Sequence, residues 1–85
     1  MAIELLYFAS VREAIGRSTE IVSPPERVVT IADLVDWLAA RGDGYAEAFA
    51  ETSKVRAAIG EAFADPDTPI GGAREIALFP PVTGG

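Results

Sequence analysis

The chain has 85 residues, 49% of them hydrophobic, enough for one small core in one domain. It contains neither cysteine nor histidine, which removes disulfides, thiolate chemistry, ordinary zinc sites and both Ser-His-Asp and Cys-His catalytic arrangements, so no metal site is expected. Thirteen acidic against seven basic residues give a net charge of −6, which opposes binding to nucleic-acid phosphates and favours a basic partner surface.

No apolar stretch approaches the roughly 18 residues of a membrane span, and the start of the chain lacks the basic and apolar regions of a secretory leader. A soluble, cytoplasmic protein with no membrane or nucleic-acid partner is therefore expected. Ile3 to Ala9 is rich in strand-forming residues, with apolar groups on both alternating sets, as in a central strand with neighbours over each face. Periodicity leaves open whether Ile3, Leu5 and Tyr7 or Leu6 and Phe8 face the main core. Val11 to Ile15 suits one helical turn closed by Gly16, and Thr19 to Val22 reads as a short strand stopped by Pro24-Pro25.

Thr30 precedes a helix whose Ile31, Leu34, Val35 and Leu38 form one apolar stripe, while Asp33 favours the positive helix end and faces water with Asp36. Gly42 is expected to end this helix, and weaker spacing at Tyr45, Ala48 and Phe49 suggests a short second one between Gly44 and Thr52. Val55 to Ala64 reads as a hairpin with a type II′ turn at Gly60-Glu61. Residues 65–72 read as a loop in which Gly71-Gly72 makes a turn, and Glu75 to Phe79 is the last strand, with Ile76 and Leu78 on one side and Ala77 and Phe79 on the other. This order predicts an α+β domain with a helix packed across one sheet face.

The tail Phe79-Pro80-Pro81-Val82-Thr83-Gly84-Gly85 is neither charged nor simply polar. Two prolines remove donors and favour extended backbone, so the tail projects instead of returning as a strand. Five residues beyond Pro80 span at most ~17 Å, enough to enter a pocket in another protein, and Gly84-Gly85 is its narrowest leading end. A bare Gly-Gly terminus is ordinarily a frayed end. The proline brace, with apolar Phe79 and Val82, makes a binding probe the better reading, with residues 1–80 as the domain and 81–85 as an extended, flexible tail.

Two segments, Leu6-Tyr7-Phe8-Ala9-Ser10-Val11-Arg12-Glu13 and Phe79-Pro80-Pro81-Val82-Thr83-Gly84-Gly85, resemble the ubiquitin-like sulfur carriers and, within them, the small subunits of molybdopterin synthase. Thiamine-pathway sulfur carriers share the fold and the Gly-Gly end but generally lack the Phe-Pro-Pro lead-in, and they are the alternative. The resemblance implies a β-grasp fold, a mixed sheet with one main helix across it. It further implies a carrier in molybdenum cofactor biosynthesis that binds no cofactor and is not an enzyme on its own.

On that resemblance an ATP-dependent activating enzyme adenylates Gly85, and a sulfur donor protein then converts it to a thiocarboxylate. Pro81, Val82, Thr83 and Gly84 insert into a large catalytic subunit, in a heterotetramer of two small and two large subunits, where sulfur passes to a cyclic pyranopterin monophosphate. A backbone thiocarboxylate explains how a chain without cysteine carries sulfur. Because the chain stops at Gly85, no maturation protease is expected.

Phe79, Pro80 and Arg12 are expected at the partner interface, Phe79 because Ile76 and Leu78 already supply a core-facing side. The commoner fates are a core strand aromatic for Phe79 and a solvated ion pair for Arg12. Lys54, the sole lysine, reads as a surface residue, and Trp37 as a partly buried residue at the helix edge. A ubiquitin-like protein modifier, joining Gly85 to a target lysine, is the second class of function that the tail permits.

Overall fold

The structure, a computed structural model, describes residues 2–81, so the expectations placed on Val82, Thr83, Gly84 and Gly85 lie outside the described residues. Alternation orients the first strand, β1 (Ile3–Tyr7): Ile3, Leu5 and Tyr7 are buried, Glu4 is exposed and Leu6 half-buried. The odd-numbered set therefore faces the core. The expectation of cover on both faces is corrected, because the helices lie over one face and leave Phe8, next in the alternation, 47% exposed.

Strand β1 runs antiparallel to β2 (Thr19–Val22), with Leu5 opposite Glu20, and parallel to β5 (Glu75–Phe79), with Leu5 opposite Ile76. On its other side β5 pairs antiparallel with β3 (Arg56–Ile59), which forms a hairpin with β4 (Ala62–Ala64). The mixed five-stranded sheet has the order β2-β1-β5-β3-β4. At the hairpin Gly60 takes φ +65° while Glu61 keeps a negative φ, as a type II′ turn requires.

Helix α1 (Ala9–Ile15) starts two residues before the turn expected at Val11. Phe8 keeps extended backbone angles and Ala9 adopts φ +51°, which swings the chain directly from strand into helix. Gly16, at φ +88°, closes it by donating its N–H to the Arg12 carbonyl.

Helix α2 (Ile31–Ala39) buries the predicted stripe of Ile31, Leu34, Val35 and Leu38. Its start is a full capping box: Thr30 Oγ1 accepts from the Asp33 N–H (3.2 Å), and Asp33 Oδ2 accepts from the N–H groups of Val29 (3.1 Å) and Thr30 (3.3 Å). Those two backbone donors hold the Asp33 carboxyl below its ordinary range.

Gly42 does not end α2, which stops at Ala39. The chain turns as the N–H groups of Arg41 and Gly42 donate to the carbonyls of Leu38 and Ala39, and Gly42, at φ +82°, then caps the start of α3 (Asp43–Ala48). A 3₁₀ turn at Thr52–Lys54 leads into β3. Helices α1 and α3 pack so closely that a Cβ at Gly44 would run into the carbonyl oxygen of Ala14. The core between helices and sheet centres on Leu5, Tyr7, Leu34, Leu38, Phe49, Ile76 and Leu78, all at or below 1% exposure.

Candidate functional site

Strand β5 positions the root of the tail. Ile76 and Leu78 point inward with no exposed area, so Ala77 and Phe79 necessarily lie on the uncovered face, where both are half-buried. The Phe79 ring packs against Phe63 of β4, with centroids 5.9 Å apart and planes at 59°. Beyond Phe79 the chain leaves the sheet. Pro80 and Pro81 are half-buried and border a cleft with Val11 of α1, Ala48 of α3, Lys54 at the end of the 3₁₀ turn and Val55 just after it. The prolines thus bed the root against the helical side, while Phe79 faces the other way.

Arg12 belongs to the same neighbourhood through its backbone. Its N–H donates to the Phe8 carbonyl, and the Phe8 N–H donates to the Leu78 carbonyl (3.2 Å), tying the first turn of α1 to the end of β5. The Arg12 side chain is exposed, with no ion-pair partner among the described residues. Lys54 pairs with Glu51 (2.9 Å), and that hydrogen bond raises the lysine's pKa. Trp37 is half-buried against the core, as expected.

Sequence reasoning missed two features. One is the extent of the uncovered sheet face. Leu6, Ala77, Ala58 and Phe63 fall in one row across β1, β5, β3 and β4, and Phe63 is 81% exposed. The signal was present in the apolar residues on both alternating sets of β1. The other is a polar cluster at the edge of the core, which local patterning could not reveal. Glu20 accepts hydrogen bonds from the hydroxyls of Tyr7 (2.9 Å) and Tyr45 (2.7 Å) and pairs with Arg41 (3.2 Å) and Arg17 (3.6 Å). Arg41 also lies over the rings of Trp37 (5.3 Å) and Tyr45 (4.7 Å). This cluster joins β1 and β2 to α2 and α3.

Among the described residues, no group of metal-ligating side chains converges and no buried side-chain polar atom lacks a partner. No helix there is long and apolar enough to cross a membrane. What the site offers is an apolar platform beside a braced, outgoing chain end.

A mixed sheet of order β2-β1-β5-β3-β4, with helices across one face and the chain end issuing from its middle strand, defines a ubiquitin-like β-grasp protein. The comparisons narrow this: the chain matches the ThiS family over residues 5–85 and belongs to it, with the molybdopterin synthase sulfur carrier subunits among its relatives. The Escherichia coli molybdopterin synthase sulfur carrier subunit is 38% identical over 84 residues, covering 98% of this chain and 99% of that protein. The Haemophilus influenzae subunit of the same name is 34% identical over 83 residues, with the same coverage.

Among solved structures, the HVO 2177 protein of Haloferax volcanii superposes with a TM-score of 0.76 at 26% identity, covering 100% of this chain and 87% of that one. Small archaeal modifier protein 1 of Haloferax volcanii gives 0.70 at 23% identity, over 95% and 98% of the two chains. A chain from the complex of subunits 1 and 2 of the molybdopterin-converting factor of Helicobacter pylori gives 0.63 at 21% identity, over all of both chains. The last two likenesses speak to the fold alone.

Proposed function

We propose that this chain is the sulfur-carrying small subunit of a molybdopterin synthase, loaded at Gly85 and non-catalytic by itself. The observation that carries the reading is the proline-braced exit of the chain from the middle strand, beside an uncovered aromatic face, in a family that includes sulfur carrier subunits. A terminal carboxylate is a poor electrophile. An ATP-dependent activating enzyme would give Gly85 a leaving group as the acyl-adenylate, and sulfur from a donor protein would replace AMP to leave a thiocarboxylate. Pro81, Val82, Thr83 and Gly84 would then thread the loaded end into a large catalytic subunit, where sulfur passes to a cyclic pyranopterin monophosphate.

The large subunit would dock on Phe79 and Pro80, with Arg12 at the rim, in an assembly of two small and two large subunits in the cytoplasm. The name of the Helicobacter pylori structure supports a partner of this kind, since it is a complex of subunits 1 and 2. The partner's pocket must supply Lys or Arg, because the chain has no basic residue after Arg74 and a buried anion without a counter-charge costs several kcal/mol.

Intact-mass spectrometry of the chain from sulfur-replete cells tests the reading. An oxygen-for-sulfur exchange at Gly85 is expected. Isopeptide conjugates would instead identify a protein modifier, and the absence of both species would overturn the carrier reading. A loaded Gly85 in cells that lack molybdopterin synthase but retain thiamine dependence on this chain would redirect the sulfur to the thiamine pathway.

A further inference from the structure

Lys54 is the sole lysine, and so the only amine side chain in the protein. The fold sets it beside the root of the tail. It ends the 3₁₀ turn with its side chain 63% exposed, and it borders the same small cleft as Pro80 and Pro81. The amino end of the sheet's first strand lies elsewhere. β1 runs parallel to β5 and begins beside Glu75, at the opposite end of the sheet from Phe79.

Gly85 follows Pro81 by four residues, a span of at most ~14 Å at full extension. The cleft that Pro81 and Lys54 share holds about 210 Å³, so Lys54 stands well inside that span. Gly84 and Gly85 place no side chain in the way of a backbone that bends back. An amine and an acyl group held on one chain by so short a link meet at an effective concentration on the order of millimolar, which a dilute outside amine does not match.

We propose that Lys54 is an internal acceptor for Gly85: when Gly85 carries a leaving group and no partner holds the tail, the Lys54 amine closes an isopeptide bond to it and makes a ring that can no longer take up sulfur. The uncharged Nζ adds to the Gly85 carbonyl carbon and a C–N bond forms. The bond to the leaving group, AMP in an acyl-adenylate or a thiolate in a thioester, breaks with its electron pair, and the amine's proton passes to solvent. In a cell that leaving group comes from activation of the chain end, so ring closure there rests on the sulfur-carrier reading. A thiocarboxylate anion is a poor electrophile, so a chain already loaded with sulfur is spared. Glu51 restrains the reaction, because its carboxylate holds Lys54 Nζ at 2.9 Å and favours the charged form, which is not a nucleophile. Both partners of that pair are exposed, so it opens readily and restrains without blocking.

The full chain, released from an intein fusion as a Gly85 thioester of mercaptoethanesulfonate, tests this at mildly alkaline pH and micromolar concentration. Intact mass should show a ring one water lighter than the free acid, formed at a rate independent of concentration. Tryptic digestion should then leave the peptide that begins at Glu75 attached to the one that contains Lys54. Lys54→Arg should lose the ring altogether and only hydrolyse. Combining it with Arg27→Lys moves the lysine past β2, to the end of the sheet where Val22 pairs with Ile3, and should not restore closure. Glu51→Gln should close faster than wild type. All these positions are exposed, and thermal unfolding checks that each variant is folded. Hydrolysis alone in the wild type, a ring joined at the amino terminus, or equal closure by the relocated lysine would overturn the assignment. Linked chains formed at a rate that grows with concentration would place the acceptor in another copy and overturn the internal ring, and a Glu51→Gln rate equal to wild type would overturn the restraint. Because the thioester is made chemically, none of these outcomes depends on whether cells load Gly85 with sulfur, which the mass of the cellular chain decides.

Discussion

At Glu20 a carboxylate sits among two phenols and two guanidinium groups, with its side chain only 11% exposed. Burial by itself pushes the Glu20 carboxyl up, but the hydroxyls of Tyr45 and Tyr7 and the charges of Arg41 and Arg17 together outweigh it and hold the group below its ordinary range. Tyr7 moves the opposite way, raised mainly by burial and then by its bond to Glu20. A depressed carboxylate stabilises the fold at pH values above its unfolded pKa, and that stabilisation disappears as pH falls through the folded value. Glu20→Gln should therefore cost about 1.5–3 kcal/mol at neutral pH, the scale of hydrogen bonds to a charged group, and progressively less in acid. Urea unfolding of both proteins at the two pH values checks this, and a cost independent of pH would show that the charge is irrelevant. Phe79 calls for a different measurement. Half-buried on the uncovered face, it should lose less stability on truncation to alanine than the ~3–5 kcal/mol of a fully buried phenylalanine. Binding to the large subunit should fall by ~2 kcal/mol, the scale of an interface hot spot. Denaturation and titration of the one variant separate the two effects.

Among the elements, the close approach of α1 and α3 depends on Gly44. An alanine there would press on the main-chain carbonyl of Ala14, which cannot rotate away, so the helices must part. Gly44→Ala should destabilise the protein by ~1–3 kcal/mol, visible as a lower melting temperature with unchanged strand content by circular dichroism. A melting temperature equal to wild type would mean that the pair slides at no cost. The same elements show what the sequence revealed. The stripe and cap of α2 were legible because each is set by residues within one or two turns, and β2 and β5 were legible from composition and from the prolines that follow them. Gly42 was assigned to the wrong helix because a left-handed glycine suits the end of one helix and the approach to the next equally well. Of the partners of Glu20, Tyr7, Arg41 and Tyr45 lie 13, 21 and 25 residues away, so no local pattern announced them. Both apolar sets of β1 were visible, but which set the helices cover is a tertiary choice. For the site, the orientation of Phe79 followed from alternation, whereas the seat of Pro80 and Pro81 beside α1 and α3 required the packed helices.

Across the whole molecule, the core closes at Leu78, so chemistry at the chain end and stability of the domain should separate. Deleting Gly85, or adding one residue after it, should abolish sulfur transfer and leave the unfolding curve unchanged. Full molybdopterin formation by an intact extended chain would refute the terminal assignment, and a large loss of stability would show that the domain reaches further than its core. The route from core to tail has a mechanical side as well. β5 is the middle strand, registered with β1 through four residue pairs and with β3 through four more. When a tail gripped in a pocket is withdrawn, the pull runs along β5, and both ladders are loaded in shear together. An edge strand under the same pull would unzip pair by pair. Forced unfolding is governed by the rate at which structure gives way, so a strand anchored on both sides resists it longest. On the proposed insertion of the tail into a partner, the domain would therefore withstand the pull of its withdrawal better than one whose chain end left from an edge strand.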